Sequence, residues 1–158
     1  MTRLVQVALI RHAHAGRRSA WRGDDRLRPL SARGRRQAEG LLQTLAIVDV
    51  GRILSSDYLR CTQTVEPLAQ ACRLAVEDEP ALVEGASLEQ VLRLFGGFRV
   101  GAVGCCTHGD VMALVCEELL RSGLAGREAM RYEKAGTWLL DLAGGRLTGA
   151  RYLPPPTT

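Results

Sequence analysis

The sequence predicts a three-layer α/β/α domain in which helices cover both faces of a mostly parallel central sheet. Apolar segments of strand length alternate with amphipathic segments of helical length along most of the chain. Segments 4–10 and 100–106 are almost continuously apolar, as central parallel strands buried on both faces are. A chain of 158 residues fits one domain better than two. We therefore predict one domain at 1–153 and a tail at 154–158.

The first half of the chain is predicted to contain three strands, two helices and a long loop. In chain order, these are a strand at 4–10, a loop at 13–30, a helix from the N-cap Ser31 to Ala46, a strand at 52–55, a helix at 59–72 and a strand at 74–77. Ser31 is a favoured N-cap residue, and leucines at helical spacing follow it. The loop has no clear period, and a loop of this length in a compact domain is usually functional.

The second half is predicted to contain two helices, a strand and a terminal hairpin. In chain order, these are a helix capped by Ser87 and ended by Gly96-Gly97, a strand at 100–106, a helix at 110–120 and hairpin strands at 137–142 and 146–152. Ala143-Gly144-Gly145 lies between the last two strands, and glycine adopts the backbone angles that tight hairpins need.

Basic side chains are concentrated near the N-terminus of a chain whose net charge is +4. Lys134 is the only lysine, and ten arginines lie between Arg3 and Arg36, where Asp24 and Asp25 alone oppose them. This excess indicates an anionic ligand, although a GC-rich genome would also explain part of the arginine content. Nucleic acid is not expected, because aromatic residues make up 4% of the chain and form no stacking platform. Phosphate suits arginine, whose guanidinium can bind it through two parallel hydrogen bonds.

Cysteine content and hydropathy predict a cytoplasmic protein. The chain has five cysteines, an odd number, and no Cys-x-x-Cys pair, so a secreted disulfide scaffold is not expected. The apolar segment at 4–10 is far shorter than the roughly 20 residues that span a bilayer. It also lacks the cleavage site of a signal peptide, so we expect no contact with membranes.

Two of the three histidines directly follow predicted strands. His12 comes after the first strand and Arg11, and His108 comes after the apolar strand of the second half. Ligands bind at the carboxyl ends of parallel strands, so we expect both imidazoles in one site. A neutral imidazole is a good nucleophile toward phosphorus, and the transferred group needs cations and N–H donors around three oxygens. Arg11, Arg60 and a protonated His108 would supply them.

Four segments resemble, in the same order, the motifs of the histidine phosphatase superfamily, also called phosphoglycerate-mutase-like. They are Leu9-Ile10-Arg11-His12-Ala13, Arg28-Pro29-Leu30-Ser31 with Gly34, Ser55-Ser56 through Arg60 to Gln63-Thr64, and Thr107-His108-Gly109. The resemblance covers about residues 5–115 and implies the fold of that family. The short chain is similar to the SixA-type branch. Segments 21–30 and 57–69 are more similar to the C-terminal phosphatase domain of mycobacterial-type two-domain Nudix hydrolases, although the chain has no Nudix box.

The resemblance implies that His12 is the nucleophile, which carries the phosphoryl group as a covalent intermediate. Arg11, Arg60 and His108 would complete the catalytic group and bind phosphate, together with Gly109. The implied activity is hydrolysis of a phosphomonoester or phosphohistidine without a cofactor. The substrate would be a phosphorylated small molecule, a nucleotide or a phosphohistidine protein.

The general acid is less clearly indicated by the sequence. Glu84 lies between the second-arginine and second-histidine motifs, where many members of the family have a carboxylate, so we assign it the catalytic acid role. Asp24 and Asp25 are alternatives, and SixA-type members can lack a dedicated acid. Ala13 stands where many members have glycine, and we expect its methyl group to tighten the pocket. His14 receives no catalytic role and is expected near the mouth of the site.

Other chemistries fit the sequence less well. A cysteine phosphatase needs Cys-x5-Arg, and none of the five cysteines has an arginine six positions later. A metal site built on His12 and His14 would need further ligands, so no metal is expected. Phosphoglycerate mutases generally have longer chains that cover the site, so hydrolysis is favoured over transfer. The remaining alternative is a catalytically weak member of the family that binds phosphate or a phosphoprotein.

Overall fold

Six strands form one sheet in the computed structural model of the chain, which describes residues 4–99 and 101–158. The strands are β1 (Leu4–Arg11), β2 (Val50–Ser55), β3 (Val76–Asp78), β4 (Gly101–Thr107), β5 (Thr137–Ala143) and β6 (Arg146–Leu153). Their order across the sheet is β3-β2-β4-β1-β5-β6. The first four are mutually parallel, β5 is antiparallel to β1, and β6 is antiparallel to β5. The predicted parallel sheet with a terminal hairpin is confirmed.

Four α-helices connect the strands. They are α1 (Ala32–Thr44), α2 (Leu59–Cys72), α3 (Leu88–Gly96) and α4 (Gly109–Arg121), and one-turn 3-10 helices lie at Arg18–Ala20, Asp25–Leu27, Pro80–Leu82 and Arg127–Met130. The predicted N-caps are both present. The Ser31 hydroxyl accepts a hydrogen bond from the Gly34 N–H at 3.0 Å, and Ser87 forms a reciprocal capping box with Gln90.

The helices cover both faces of the sheet. Along β1, Val7 and Leu9 belong to one apolar cluster together with side chains of α3 and α4. Ala8 and Ile10 belong to a second cluster on the opposite face, together with side chains of α1 and α2. Because successive strand residues point to opposite faces, a continuously apolar strand can serve both cores. The three-layer α/β/α architecture is therefore confirmed.

Three predicted boundaries differ from the structure by two residues each. α1 ends at Thr44. β2 begins at Val50, which pairs with Ala102 of β4, and the register of this pairing shifts between Val50 and Arg52. β3 begins only at Val76, because the preceding residues terminate α2. There Arg73 takes a left-handed φ of 56°, and the Leu74 N–H donates back to the Ala69 carbonyl at 2.9 Å. Val100, the predicted first residue of the fourth strand, lies outside the described residues.

The predicted tail lies against α1. An added Cβ on Gly40 would come within 2.5 Å of the Pro156 Cβ, so the glycine leaves room for this contact. The division into a domain and a tail stays a prediction. No helix in the described part of the chain is both long and apolar enough to cross a membrane.

Candidate active site

His12 and His108 meet at the carboxyl edge of the sheet. They follow β1 and β4, which are adjacent and parallel, with Arg11 in register with Thr107. The His12 N–H donates to the Thr107 carbonyl at 3.0 Å, so the backbone pairing continues one residue beyond the strand. The ring centroids lie 5.4 Å apart with an interplanar angle of 67°. The structure thus brings together the two histidines that the sequence places at strand ends.

The surroundings of His12 determine its tautomer and its protonation state. Its Nδ1 lies 2.8 Å from the Ala13 carbonyl oxygen, which can only accept a hydrogen bond, so Nδ1 carries the proton and Nε2 has the free lone pair. The pKa of His12 is lowered to about 3, mainly by burial; electrostatic interactions with His108, Arg60 and Arg11 add to the lowering, and the hydrogen bond to the Ala13 carbonyl opposes it. The imidazole is therefore neutral at neutral pH.

The backbone around His12 is held from two sides. The Ala135 N–H donates to the carbonyls of Arg11 and His12 at 3.0 and 3.3 Å, with Ala135 in a left-handed conformation at φ 65°. The Ala13 N–H donates to the Thr64 hydroxyl at 2.9 Å, which links the loop after β1 to α2. These bonds fix the exit of β1, and with it the position of the imidazole.

The Ala13 side chain does not line the catalytic cavity. Its methyl group is fully buried in a small cluster with Ala15, Leu30, Ala38 and Ala135. The expectation that it tightens the pocket is therefore wrong, because the side chain packs beneath the loop. A methyl group here contributes apolar contact to the base of the loop instead.

Three of the predicted site residues carry a buried polar atom that has no hydrogen-bond partner in the described part of the chain. Nε of Arg11, Nε of Arg60 and Nδ1 of His108 are buried and have no hydrogen-bond partner among the described residues. All three side chains line one cavity of about 650 Å³ together with His12. The only other side-chain atom of this kind in the described chain is the Thr137 hydroxyl, which belongs to β5. Buried donors without acceptors are unfavourable, so this cavity is suited to a ligand with several acceptor oxygens.

Arg11 is placed by contacts with two other segments. Its Nη1 donates to the Tyr132 carbonyl at 2.8 Å, and burial lowers the pKa of its guanidinium. A Cβ on Gly109 would come within 2.7 Å of the guanidinium carbon. Only glycine therefore allows the first turn of α4 to pack this closely on Arg11. This contact also brings the N-terminus of α4 to the cavity, where its N–H groups favour anions.

Arg60 is anchored by Asp25, a residue that the sequence offered only as an alternative acid. Nη1 of Arg60 donates to the Asp25 carbonyl at 2.8 Å, and Nη2 donates to its carboxylate at 3.0 Å. The same carboxylate accepts from Nε of Arg28 at 3.0 Å. Burial opposes ionisation of Asp25, but the bonds from Arg28 and Arg60 outweigh it and lower the pKa of the carboxyl. Asp25 is therefore poorly suited to donate a proton.

Two other carboxylates lie on the cavity wall. Glu84 accepts from Arg18 at 2.7 Å and lies 3.9 Å from Nη2 of Arg60. Asp110, in the first turn of α4, accepts from the Gly85 N–H at 2.7 Å. Asp24 does not line the cavity; it caps a one-turn helix by accepting from the Arg26 N–H. Glu84 and Asp110 thus both line the catalytic cavity, and Asp110 is a carboxylate that the sequence reasoning missed.

His108 is supported by side chains from the segment between β2 and α2. Its Nε2 lies 2.8 Å from the Ser56 hydroxyl and 3.5 Å from the Cys61 sulfur. The Tyr58 ring stands against it edge to face, 4.6 Å away between centroids. Ser56 belongs to a motif quoted from the sequence, but no local signal connected that motif with a histidine 52 residues away.

His14 lies outside the catalytic cavity, although it follows His12 by two residues. Its Nδ1 is 2.7 Å from the Ser31 hydroxyl, and its ring lines a neighbouring cavity. The expected place near the mouth of the site stays a prediction. Lys134, the only lysine, lines both cavities. Its uniqueness in the sequence was the one signal that could have singled it out.

The sequence of the chain is similar to those of known proteins. The family model of the histidine phosphatase superfamily (branch 1) matches residues 7–91, which include Arg11, His12, Arg60 and Glu84. An 8-oxo-(d)GTP phosphatase of Mycolicibacterium smegmatis is 39% identical over 157 residues, covering 95% of this chain and 48% of that protein. The chain thus spans about half the length of this curated relative.

Solved structures share the fold over nearly the whole chain. A protein described as the phosphohistidine phosphatase SixA from Agrobacterium tumefaciens superposes with a TM-score of 0.75 and 26% identity, covering 95% of this chain and 98% of that one. A SixA from Nakamurella multipartitia superposes with a TM-score of 0.72 and 20% identity, covering 98% of both chains. The structures show the shared fold, and the family match supports a phosphatase function.

Proposed function

This chain belongs to the histidine phosphatase superfamily, and from that premise we propose that it hydrolyses phosphate groups through a covalent intermediate on His12. The observation that carries the proposal is the set of three buried, unpartnered nitrogen atoms on Arg11, Arg60 and His108 around the His12 cavity. A phosphoryl group presents three oxygens, and each of these nitrogens could donate to one of them, His108 when it is protonated. Two guanidinium charges also offset the negative charge that these oxygens carry.

In the first step, the Nε2 lone pair of His12 attacks phosphorus, and the bond from phosphorus to the leaving oxygen or nitrogen breaks. The low pKa of His12 keeps this lone pair available, and the Ala13 carbonyl orients the ring through the Nδ1 proton. The leaving group takes the bonding electron pair and a proton. In the second step, water attacks phosphorus and gives up a proton to the group that protonated the leaving group or to solvent. The P–N bond breaks, free phosphate forms, and neutral His12 is regenerated.

Glu84 is the proposed proton donor for an oxygen leaving group. It lies on the cavity wall 3.9 Å from Arg60, and Asp110 is the other carboxylate on that wall among the described residues. An imidazole leaving group accepts its own proton readily, so phosphohistidine makes the smaller demand on an acid. The acid is therefore expected to matter for alkyl phosphates and much less for phosphohistidine.

The proposed substrates are phosphorylated small molecules, nucleotides and phosphohistidine proteins. A relative is named for hydrolysis of 8-oxo-(d)GTP, and two structural neighbours are named for phosphohistidine. The cavity of about 650 Å³ falls within the size of ordinary small-molecule sites, roughly 300 to 1,000 Å³. We also propose a cytoplasmic location, because all five cysteines lie among the described residues as free thiols.

The test is to trap the intermediate. Rapid quenching during turnover of a radiolabelled phosphomonoester should leave label on the peptide containing Arg11-His12-Ala13, labile in acid and more durable in base. His12→Ala should fold but lose both label and turnover. Label on His108, His14 or a cysteine would contradict the assignment. If the chain were only a phosphate-binding module, p-nitrophenyl phosphate would bind without being hydrolysed.

A further inference from the structure

A second cavity adjoins the proposed catalytic one. It also has a volume of about 650 Å³, and Lys134 lies in the walls of both. Its walls are formed by His14, Arg33, Gln37, Glu133, Lys134 and the segment 154–158. Nothing in the proposed reaction at His12 uses this space. A side chain shared by two cavities is placed to contact one molecule that occupies both.

The second cavity carries uncompensated positive charge. Lys134 and Arg33 form no hydrogen bond or ion pair with any side chain in the described part of the protein. The carboxylate in this wall, Glu133, already accepts from Arg131 at 2.7 Å. By contrast, Arg18 and Arg60 in the catalytic cavity are paired with carboxylates at 2.7 and 3.0 Å. Lys134 and Arg33 therefore remain available to pair with an anion in the second cavity.

Lys134 is held in an unfavourable electrostatic environment. Burial lowers the pKa of its ammonium group, and repulsion from Arg11, Arg28, Arg33 and Arg60 lowers it further. The backbone beside it is held in place, because the N–H of the next residue, Ala135, donates to the carbonyls of Arg11 and His12. An anion placed between these cations would relieve the repulsion, so the site favours negative ligands.

The same positive charges also affect His14, which lies in the wall of the second cavity. Burial lowers the pKa of His14, and repulsion from Lys134, Arg33 and Arg28 lowers it further. The ring is therefore neutral at neutral pH and adds no third cation to the wall. His14, which the reaction leaves without a role, becomes a polar part of this second cavity.

We propose that the second cavity binds a second phosphate group of a small-molecule substrate, which Lys134 and Arg33 contact while the first phosphate lies at His12. The proposal rests on the proposed function only for the place of the first phosphate. The substrate class is then a small molecule with two separate phosphate groups. Concave cavities of this size suit small molecules, and a phosphate supplies enough charge to pair with two cations.

The test compares anions that differ only in a second charged end. Calorimetry at fixed physiological salt would measure binding of alkylphosphonates and of the matching alkane-1,n-bisphosphonates, with three to six methylene groups as the length series. At least one bisphosphonate should bind about tenfold more tightly than its monophosphonate, the change expected for one charge-assisted contact. This ratio should fall toward one in Lys134→Gln and in Arg33→Gln.

Arg36→Gln is the matched control. It removes the same charge from the same helix as Arg33→Gln, and Arg36 lines neither cavity. The bisphosphonate preference should therefore survive in Arg36→Gln. An equal loss in all three variants would overturn the proposal, because it would mean that the preference follows net charge alone. Arg33 is exposed, so its substitution tests the site even if Lys134→Gln destabilises the fold.

Two further outcomes overturn the proposal. The first is a wild-type protein without any bisphosphonate preference. The second is a phosphohistidine peptide whose binding depends on Lys134 while bisphosphonate binding does not, which would assign the cavity to a protein substrate. Turnover of p-nitrophenyl phosphate, measured separately, keeps the two proposals apart. If the protein prefers bisphosphonates but does not hydrolyse p-nitrophenyl phosphate, the proposed function is contradicted. If it hydrolyses p-nitrophenyl phosphate but has no bisphosphonate preference, only the second phosphate site is contradicted.

Discussion

The two sides of the catalytic cavity use their charged and polar groups in opposite ways. In the strand-end group, which consists of Arg11, His12 and His108, Nε of Arg11 and Nδ1 of His108 are buried and have no partner among the described residues. The loop network, which consists of Arg18, Asp25, Arg28 and Glu84, pairs its charges in ion pairs of 2.7 to 3.5 Å.

This difference distinguishes the groups that can bind a ligand from the groups that hold the structure together. Unpartnered donors are free for a ligand, whereas paired charges stabilise the loop that carries them. Arg28 illustrates this, since it joins Asp25 to the Ala15 carbonyl, which its Nη1 reaches at 2.7 Å. Arg60 belongs to both sides, because its Nη atoms bind Asp25 and its Nε has no partner. The number of charges lining a cavity is therefore a poor measure of how strongly it binds an anion.

The largest expected effect comes from the residue that links the two sides. Arg60→Lys keeps the charge but removes the planar guanidinium that binds Asp25 and presents Nε. We expect kcat/KM to fall on the order of 10²-fold or more with every substrate, as when one oxyanion donor is removed. Steady-state kinetics with p-nitrophenyl phosphate would measure it. Arg93→Lys, at an exposed position of α3, is the control; near-normal kinetics in Arg60→Lys would remove Arg60 from the site.

The second prediction tests whether Glu84 acts as the proton donor or only as a member of the loop network. If it is the acid, Glu84→Gln should slow alkyl phosphates on the order of 10²-fold, because a poor leaving group needs the proton. p-Nitrophenyl phosphate and phosphohistidine should be slowed far less. Glu89→Gln is the control, because Glu89 is an exposed residue of α3 outside the cavity and its substitution should leave the kinetics with all three substrates nearly unchanged. Equal slowing of all three substrates would assign Glu84 to the loop network through its pair with Arg18.

The third prediction concerns the neutral state of His12. Its pKa falls from 6.5 to about 3 on folding, so between these values the unfolded chain binds more protons, and stability is lost as the pH falls below about 6.5. At pH 5 the loss from this group is about 2 kcal/mol relative to pH 7. Denaturant unfolding at pH 7 and pH 5 would measure the free energy of unfolding, and the decrease between the two pH values should be smaller in His12→Asn than in the wild type. His14→Asn, a more exposed histidine, should keep most of it, and an unchanged profile in His12→Asn would contradict the neutral buried imidazole.

The smallest expected effect comes from the centre of the loop network. Asp25→Asn weakens the anchor of Arg60 but keeps the carbonyl that accepts from Nη1. We expect kcat/KM to fall about tenfold, a typical loss for one charge-assisted bond, and to fall equally for all leaving groups. Inorganic phosphate should inhibit less strongly in parallel. Asp24→Asn is the control, and an effect confined to alkyl phosphates would show that Asp25 is an acid after all.

Much of the molecule follows from local patterns in the sequence. The alternation of apolar and amphipathic segments predicts the three layers, and continuous apolar character identifies β1 and β4 as central strands. Because parallel strands present their carboxyl ends on one edge, a histidine after each strand is enough to predict that His12 and His108 meet. Ser31 and Ser87 mark helix starts because capping depends on only a few neighbouring residues.

The roles of the remaining charged residues depend on contacts between distant parts of the chain. Asp25 and Arg60 are 35 residues apart, and Arg18 and Glu84 are 66 residues apart. No local period relates such positions, so an aspartate that the sequence offers as an acid becomes the anchor of an arginine. His14 follows His12 by two residues yet faces another cavity, because the chain turns where the strand ends. The sequence thus determined the layers and the two histidines, and only tertiary packing decided which charges are paired and which remain free for a ligand.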